Sequence, residues 1–256
     1  MHELVCDGLG FVAGRWPLDP DLYTLVFIHG SGGSSILWHR QVTALADKMN
    51  TVAVDLPGHG RNDGPGMSRI SDYSAAISRF INALDAPRPV VCGLSIGGAI
   101  VLDLLLNHKG VCHAGIVVNS GAKLKVMPLI FETIKNDYPG FVNSLYGFGI
   151  SEKTDPAALT PLVDGMLQCP PDVTYGDFAA CDSFDVMEQL HTIDVPVLVM
   201  TATDDKLTPA KYGNFLADTI PGASIVSIQD AGHLSPIEKP EAVGAAIENF
   251  VLSLKD

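Results

Sequence analysis

A serine hydroxyl is a weak nucleophile until a base takes its proton, and the base needs a further group to fix its tautomer. Gly93-Leu94-Ser95-Ile96-Gly97 puts a serine where an apolar run, Pro89–Cys92, gives way to an amphipathic one, Gly97–His108. A strand turning abruptly into a helix pushes the middle side chain into a strained, exposed position, and a Cβ two residues to either side would clash. The helix start also leaves backbone N–H groups without intrahelical acceptors, and that of Ile96 is a candidate to hold an oxyanion. In a chain with 25 glycines the same pattern can mark a turn that only packs. The strand before it and the helix after it make Ser95 a candidate nucleophile.

Two further glycine-rich segments follow apolar runs. His29-Gly30-Ser31-Gly32-Gly33 comes directly after Thr24–His29 and can aim a backbone N–H into the same crevice, with Ser31 the candidate donor. It lacks the Gly-Lys-Ser/Thr ending of a nucleotide-binding loop; a plain tight turn is the alternative. Among eight histidines, His29 and His59 sit in glycine turns and read as structural, and five others have terminal, helical or loop contexts with no flanking signal. His233, in Asp230-Ala231-Gly232-His233-Leu234 just past the last apolar run, is the candidate base, since sites in parallel sheets assemble at the carboxyl ends of strands. The orienting carboxylate is Asp204 or Asp205, both in the turn after Val195–Met200. Neighbours in a turn point different ways, so one reaches the histidine and the other is free to cap the helix that begins near Pro209.

The elements that must position these residues read as an α/β alternation, a mostly parallel sheet with helices on both faces. Leu4–Cys6 and Phe11–Trp16 form an opening hairpin. Strands follow at Thr24–His29, Thr51–Asp55, Pro89–Cys92, Ala114–Asn119, Val195–Met200 and Ser224–Ile228. Helices are expected at about Leu37–Lys48, Ser71–Asp85, Gly97–His108, Pro209–Ile220 and Pro240–Leu254, the last with Ala242, Ala246, Ile247 and Phe250 along one face. Between 122 and 193 no strand of comparable quality occurs. That stretch has six prolines and nearly half of the chain's ten Phe, six Tyr and two Trp, and short helices are expected near Pro128 and at Asp155-Pro156. It reads as a helical lid (122–193) inserted into a core formed by 1–121 and 194–256. Its aromatic residues suit an apolar acyl or aryl pocket, or the packing of the lid onto its base.

A formal charge of −13 repels phosphate backbones and anionic lipid, which argues against nucleic acid as a partner. Five cysteines without C-x-x-C spacing fit packed thiols of a cytosolic protein, a Cys169–Cys181 disulfide being the alternative. The N-terminus has no signal-peptide pattern, and no apolar run is long enough to cross a bilayer. The expectation is a cytoplasmic protein acting on a small molecule, with no metal and no organic cofactor. A homo-oligomer is left open.

The segments FIHGSGG, VDLPGHGRND, GLSIGG, VPVLVMTATDDKLTP and DAGHLSPIEKPEAV together resemble the α/β-hydrolase superfamily over essentially the whole chain. The order Ser95, Asp205, His233 is also that of its nucleophile-elbow enzymes. The resemblance implies an eight-stranded, mostly parallel sheet with an inserted helical lid. It favours Asp205 over Asp204, because the family's acid usually lies four residues before a proline, here Pro209. It assigns Asp55, Gly58 and Gly60 a structural role, and it puts Ala202 where a glycine is usual. It is closest to small lidded bacterial carboxylesterases. Carbon–carbon bond hydrolases also resemble the chain, but their oxyanion loop usually carries Gly-Pro-Gly where Ser31-Gly32-Gly33-Ser34 stands. The expected activity is hydrolysis of carboxylic esters with small apolar acyl or aryl groups through an acyl-enzyme. Carbon–carbon bond hydrolysis and a non-catalytic small-molecule receptor are the rivals, separable by substrate preference and by multiple turnover.

Overall fold

A computed structural model describes residues 1–254. Its eight strands are β1 (His2–Cys6), β2 (Leu9–Ala13), β3 (Thr24–Ile28), β4 (Asn50–Val54), β5 (Pro89–Leu94), β6 (Ala114–Val118), β7 (Val197–Ala202) and β8 (Ser224–Ile228), in one sheet of order β1-β2-β4-β3-β5-β6-β7-β8. The β1–β2 and β2–β4 pairings are antiparallel and the rest are parallel. The second hairpin strand stops at Ala13, short of Trp16. Gly14 follows it, where a Cβ would strike the Thr51 hydroxyl and the Val42 carbonyl, and its N–H donates to the Thr51 carbonyl at 3.0 Å.

The central strands are continuous apolar runs because both faces are covered. On β3, Val26 and Ile28 join one buried layer with Tyr73, Ile77 and Phe80, while Leu25 and Phe27 join the other with Trp38 and Val42. The first layer is closed by α2 (Ile70–Ala83) and α3 (Ile96–Asn107); the second is closed by α1 (His39–Leu45) and the C-terminal helix Pro240–Ser253. A 3-10 turn, Ser35–Trp38, precedes α1, so the helix starts two residues later than the apolar spacing suggests. Trp38 stacks on Phe27 with ring centroids 4.9 Å apart, and its buried Nε1 donates to the Ile28 carbonyl at 3.1 Å. This fixes the strand end from which the glycine-rich loop leaves.

Between β6 and β7 the chain forms α4 (Pro128–Asn136), α5 (Tyr138–Asn143), α6 (Leu145–Phe148), a 3-10 turn (Pro156–Leu159), α7 (Thr160–Gln168), α8 (Pro171–Ser183) and a second 3-10 turn (Met187–Thr192). Proline at the first helical position opens α4, and the Asp155 side chain caps the first 3-10 turn by accepting from Ala157 N–H at 3.0 Å. An antiparallel bridge, Lys123 to Asp185, brings the two ends of this insert together. Its aromatic residues pack largely on one another: Phe141 meets Phe178 edge-on at 5.5 Å and Phe131 meets Tyr175 at 5.0 Å.

After the insert come α9 (Lys211–Thr219), α10 (Ser235–Glu238) and α11 (Pro240–Ser253). The buried stripe of α11 is Val243, Ile247 and Val251, spaced by four; Ala242 is exposed, which corrects the expected face by about one position. All five cysteines are free thiols, so Cys169 and Cys181 are not joined. Among the described residues no helix is long and apolar enough to cross a membrane.

Candidate active site

Ser95 occupies the turn between β5 and α3 with φ 57° and ψ −117°, a left-handed conformation that is strained for a side-chain-bearing residue. The glycines around it are forced by contact. A Cβ on Gly93 would run into the Gly97 backbone, and one on Gly97 would come within 2.6 Å of the Ile28 carbonyl oxygen. The turn is braced from β6: Ser95 N–H donates to the Val118 carbonyl at 3.1 Å and Ser120 Oγ donates to the Ser95 carbonyl at 2.7 Å. Ile96 is the first residue of α3, where an N–H has no intrahelical acceptor.

The Gly30–Gly33 loop leaves β3 beside this turn, and a Cβ built on Gly30 would lie 3.8 Å from Ser95 Cβ. Gly33 N–H closes the loop on the Gly30 carbonyl at 3.0 Å, and Gly32 has φ +65°. His29 is fully buried beneath it. Its Nδ1 donates to the Gly30 carbonyl at 2.8 Å and its Nε2 accepts from Leu56 N–H at 3.0 Å. Burial, then the nearby His59, pushes its pKa down to about 4, so the ring is neutral. Its role is structural, as its glycine turn suggests.

Asp205 and His233 come from the loops after β7 and β8 and meet at 2.9 Å, Asp205 Oδ2 to His233 Nδ1, both buried. With Nδ1 donating, the ring lone pair belongs to Nε2. Burial opposes ionisation of Asp205, but the electrostatic attraction of the facing His233, its hydrogen bond and those from Thr208 outweigh it, so its pKa is lowered. Asp205 Oδ1 accepts from the N–H groups of Leu207 and Thr208, each at 2.8 Å. Asp204 does not cap the following helix as expected. It turns away and accepts from Ser151 Oγ of the insert at 2.6 Å, while its N–H donates to the Ala231 carbonyl at 2.9 Å. The two adjacent carboxylates thus separate, one onto the histidine and one onto the insert.

Three residues that sequence reasoning passed over hold this arrangement. Thr208 Oγ1 lies 2.7 Å from Asp205 Oδ2 and 3.1 Å from His233 Nδ1. Asn119, at φ 44°, donates from Nδ2 to the His233 carbonyl at 2.9 Å and to that of Gly232 at 3.3 Å. Glu238 accepts from Gly232 N–H at 2.9 Å and from Ser151 N–H at 2.8 Å. Their only signal in the sequence is a polar residue at the end of an apolar run, or just past the acid or the histidine.

The alpha/beta hydrolase family model matches residues 25–246. The chain belongs to the alpha/beta hydrolase family. This α/β hydrolase is 24% identical to 3-oxoadipate enol-lactonase 2 of Acinetobacter baylyi, over 89% of this chain and 88% of that one. It is 29% identical to the pimeloyl-[acyl-carrier protein] methyl ester esterase of Neisseria meningitidis serogroup B, over 91% and 94%. In fold it is similar to the enol-lactonase from Burkholderia xenovorans LB400, with a TM-score of 0.88 at 21% identity over 98% and 100% of the two chains. The relatives are hydrolases, and this chain is a hydrolase of the same fold.

Proposed function

We propose that the protein is a carboxylic ester hydrolase in which Ser95 is the nucleophile, His233 the general base and Asp205 the group that orients it. The observation that carries this reading is the 2.9 Å Asp205–His233 contact in loops at the sheet edge where strained Ser95 also emerges. His233 Nε2 takes the Ser95 proton as Oγ attacks the ester carbonyl, and the N–H groups of Ile96 and Ser31 hold the oxyanion. The imidazolium then returns the proton to the leaving alcohol, giving an acyl-Ser95. Water, deprotonated by His233, attacks that acyl group and releases the acid. Metal and organic cofactors have no part in this scheme.

The helical insert, 122–193, acts as a lid over the site and is the segment that sets the acyl pocket. Its Met166 and Thr174 lie against Gly32 of the oxyanion loop. A lactone is a cyclic ester open to the same steps, and the names of the lactonase and methyl esterase relatives support testing both kinds of ester. The test is hydrolysis of p-nitrophenyl esters from acetate to long acyl chains, together with simple lactones, by wild type and Ser95→Ala. Turnover is expected in the wild type and a fall of about 10³-fold or more in the variant. Full activity in folded Ser95→Ala overturns the assignment.

A further inference from the structure

Asp177 lies on α8 of the insert and is fully buried, remote in sequence from every motif of the proposed triad. Its carboxylate accepts three hydrogen bonds, all from the core: Gly32 N–H at 2.8 Å and His59 Nε2 at 2.9 Å on Oδ2, and the Tyr73 hydroxyl at 2.5 Å on Oδ1. His59 is buried as well, and its Nδ1 donates to the Pro57 carbonyl at 3.1 Å. Both ring nitrogens therefore donate, which describes an imidazolium. Burial works against that charge, yet the facing Asp177 carboxylate and its hydrogen bond raise the His59 pKa above the ordinary imidazole value.

A buried ion pair is a poor device for stability alone, because desolvation consumes much of its Coulomb energy and apolar side chains of similar volume often serve as well. What an apolar side chain could not do is accept the Gly32 N–H. That N–H sits one residue after Ser31, in a four-residue loop whose other end is fixed by His29 and by the Gly33-to-Gly30 hydrogen bond. The loop is thus held from below by the core and from above by α8, where the Asp177 carboxylate takes the Gly32 N–H and the Cys181 thiol meets the Ser31 side chain. Thr174 and Met166 pack against Gly32 so closely that a Cβ there would lie 2.8 Å from Thr174 Oγ1 and 3.3 Å from Met166 Cε.

We propose that Asp177 is a positioning residue for the oxyanion loop: by holding Gly32 N–H it fixes the Ser31–Gly32 peptide, and with it the backbone turn at Ser31 that leaves the Ser31 N–H, in the preceding peptide, for the substrate oxygen. The inference rests on the ester-hydrolase reading of Ser31 and Ser95. It makes seating of the insert and assembly of the oxyanion cradle one event, since the acceptor that shapes the loop arrives on α8.

The test compares wild type, Asp177→Leu and Asp177→Asn. Leucine keeps the volume and removes the acceptor; asparagine keeps a neutral acceptor oxygen. The readouts are kcat and KM on the best p-nitrophenyl ester, and Ki for a reversible trifluoromethyl ketone, whose tetrahedral adduct carries the oxyanion. Asp177→Leu is expected to lose on the order of 10²–10³ in kcat, the size of losing one oxyanion donor, with KM little changed and Ki rising in parallel. Asp177→Asn is expected to restore most of this, losing only about 3- to 10-fold, because a neutral acceptor is weaker than a charged one. A merely structural role would lower the folded fraction and leave Ki alone. Unchanged kcat and Ki in folded Asp177→Leu overturn the inference. If that variant does not fold, unchanged kcat and Ki in Asp177→Asn overturn it, and a parallel shift supports it. A folded wild type that neither turns over esters nor binds the ketone overturns the ester-hydrolase reading, and this inference with it.

Discussion

At the scale of single residues, the pair Asp204-Asp205 shows how backbone direction divides two identical side chains between two tasks. Asp205 faces His233 and is locked by Leu207, Thr208 and the imidazole; Asp204, one residue away, grips Ser151 of the insert. Asp205→Asn is expected to leave the fold intact and to lower kcat by roughly 10³–10⁴-fold, because an amide can hold the ring in the wrong tautomer. Asp204→Asn keeps an oxygen for Ser151 Oγ and touches no part of the proposed triad, so its kcat is expected to stay within about 3-fold of wild type, as for other substitutions outside a site. Steady-state kinetics on one ester, with circular dichroism to verify folding, checks both, and equal losses would contradict the division. Ser95 and His233 were legible as candidates, Ser95 because it sits between glycines directly after an apolar run and His233 because it follows Gly232 in the loop past the last one. The choice between the two aspartates was not legible from spacing alone and came only from the family's proline. Asn119, Thr208 and Asp177 were hardly legible: each is a common polar residue, and the contacts that matter for Asp177 and Asn119 join residues 104 to 145 positions apart.

At the scale of elements, the loops after β3 and β4 pack two histidine rings 4.9 Å apart beneath the candidate oxyanion loop. Their protonation is split by their partners. His29, with a backbone N–H on Nε2, is held neutral with its pKa near 4; His59, with Asp177 on Nε2, is held charged. For His29 the folded value lies below the unfolded value of about 6.5, so the native state gives up a proton that the unfolded chain keeps. Its contribution is fully present above pH of about 6.5 and is lost as pH falls toward 4, on the order of 3 kcal/mol over that window. His59 has the opposite sign: its contribution is present below about 6.5 and is lost as pH rises through its raised value. Thermal unfolding is therefore expected to shift to lower temperature between pH 6.5 and 4, and His29→Gln is expected to flatten that slope. An unaltered slope in the variant would show that other groups dominate. The elements themselves were largely legible, since buried parallel strands are short unbroken apolar runs bounded by glycine, proline or aspartate. What the pattern could not supply was their ends. The hairpin strand stops at Ala13, before a Gly14 that Val42 and Thr51 leave no room to replace, and α1 is delayed by a 3-10 turn that fits Trp38 under β3, a tertiary contact.

At the scale of the whole molecule, the insert raises the question of whether it is an appendage or part of one cooperative structure. Its apolar residues do not form a core of their own. Ala180, Cys181, Phe184 and Leu190 join the layer that holds α2, α3 and Val91 of β5, while Phe141, Leu162, Val163 and Met166 join the layer that holds Trp38, Cys92 and Ile116. Polar ties run the same way: Asp177 to Gly32 and His59, Ser151 to Asp204 and Glu238, and the Gly149 carbonyl to Leu234 N–H at 3.0 Å. Removing the insert would uncover both layers and leave buried donors such as Gly32 N–H without acceptors, and each unmet buried group costs about 1–3 kcal/mol. Segments that share a core in this way unfold together. Urea unfolding is therefore expected to give one transition, with the same midpoint whether followed by far-ultraviolet circular dichroism, which weighs all helices, or by the fluorescence of Trp16 and Trp38, which pack on Phe11 and Phe27 and report the sheet side. Asp177→Leu should move both midpoints together. An earlier transition seen only in the helical signal would mean that the insert melts alone, and the coupling between its seating and the candidate oxyanion loop would then be confined to the lower-denaturant range where both signals still report the native state.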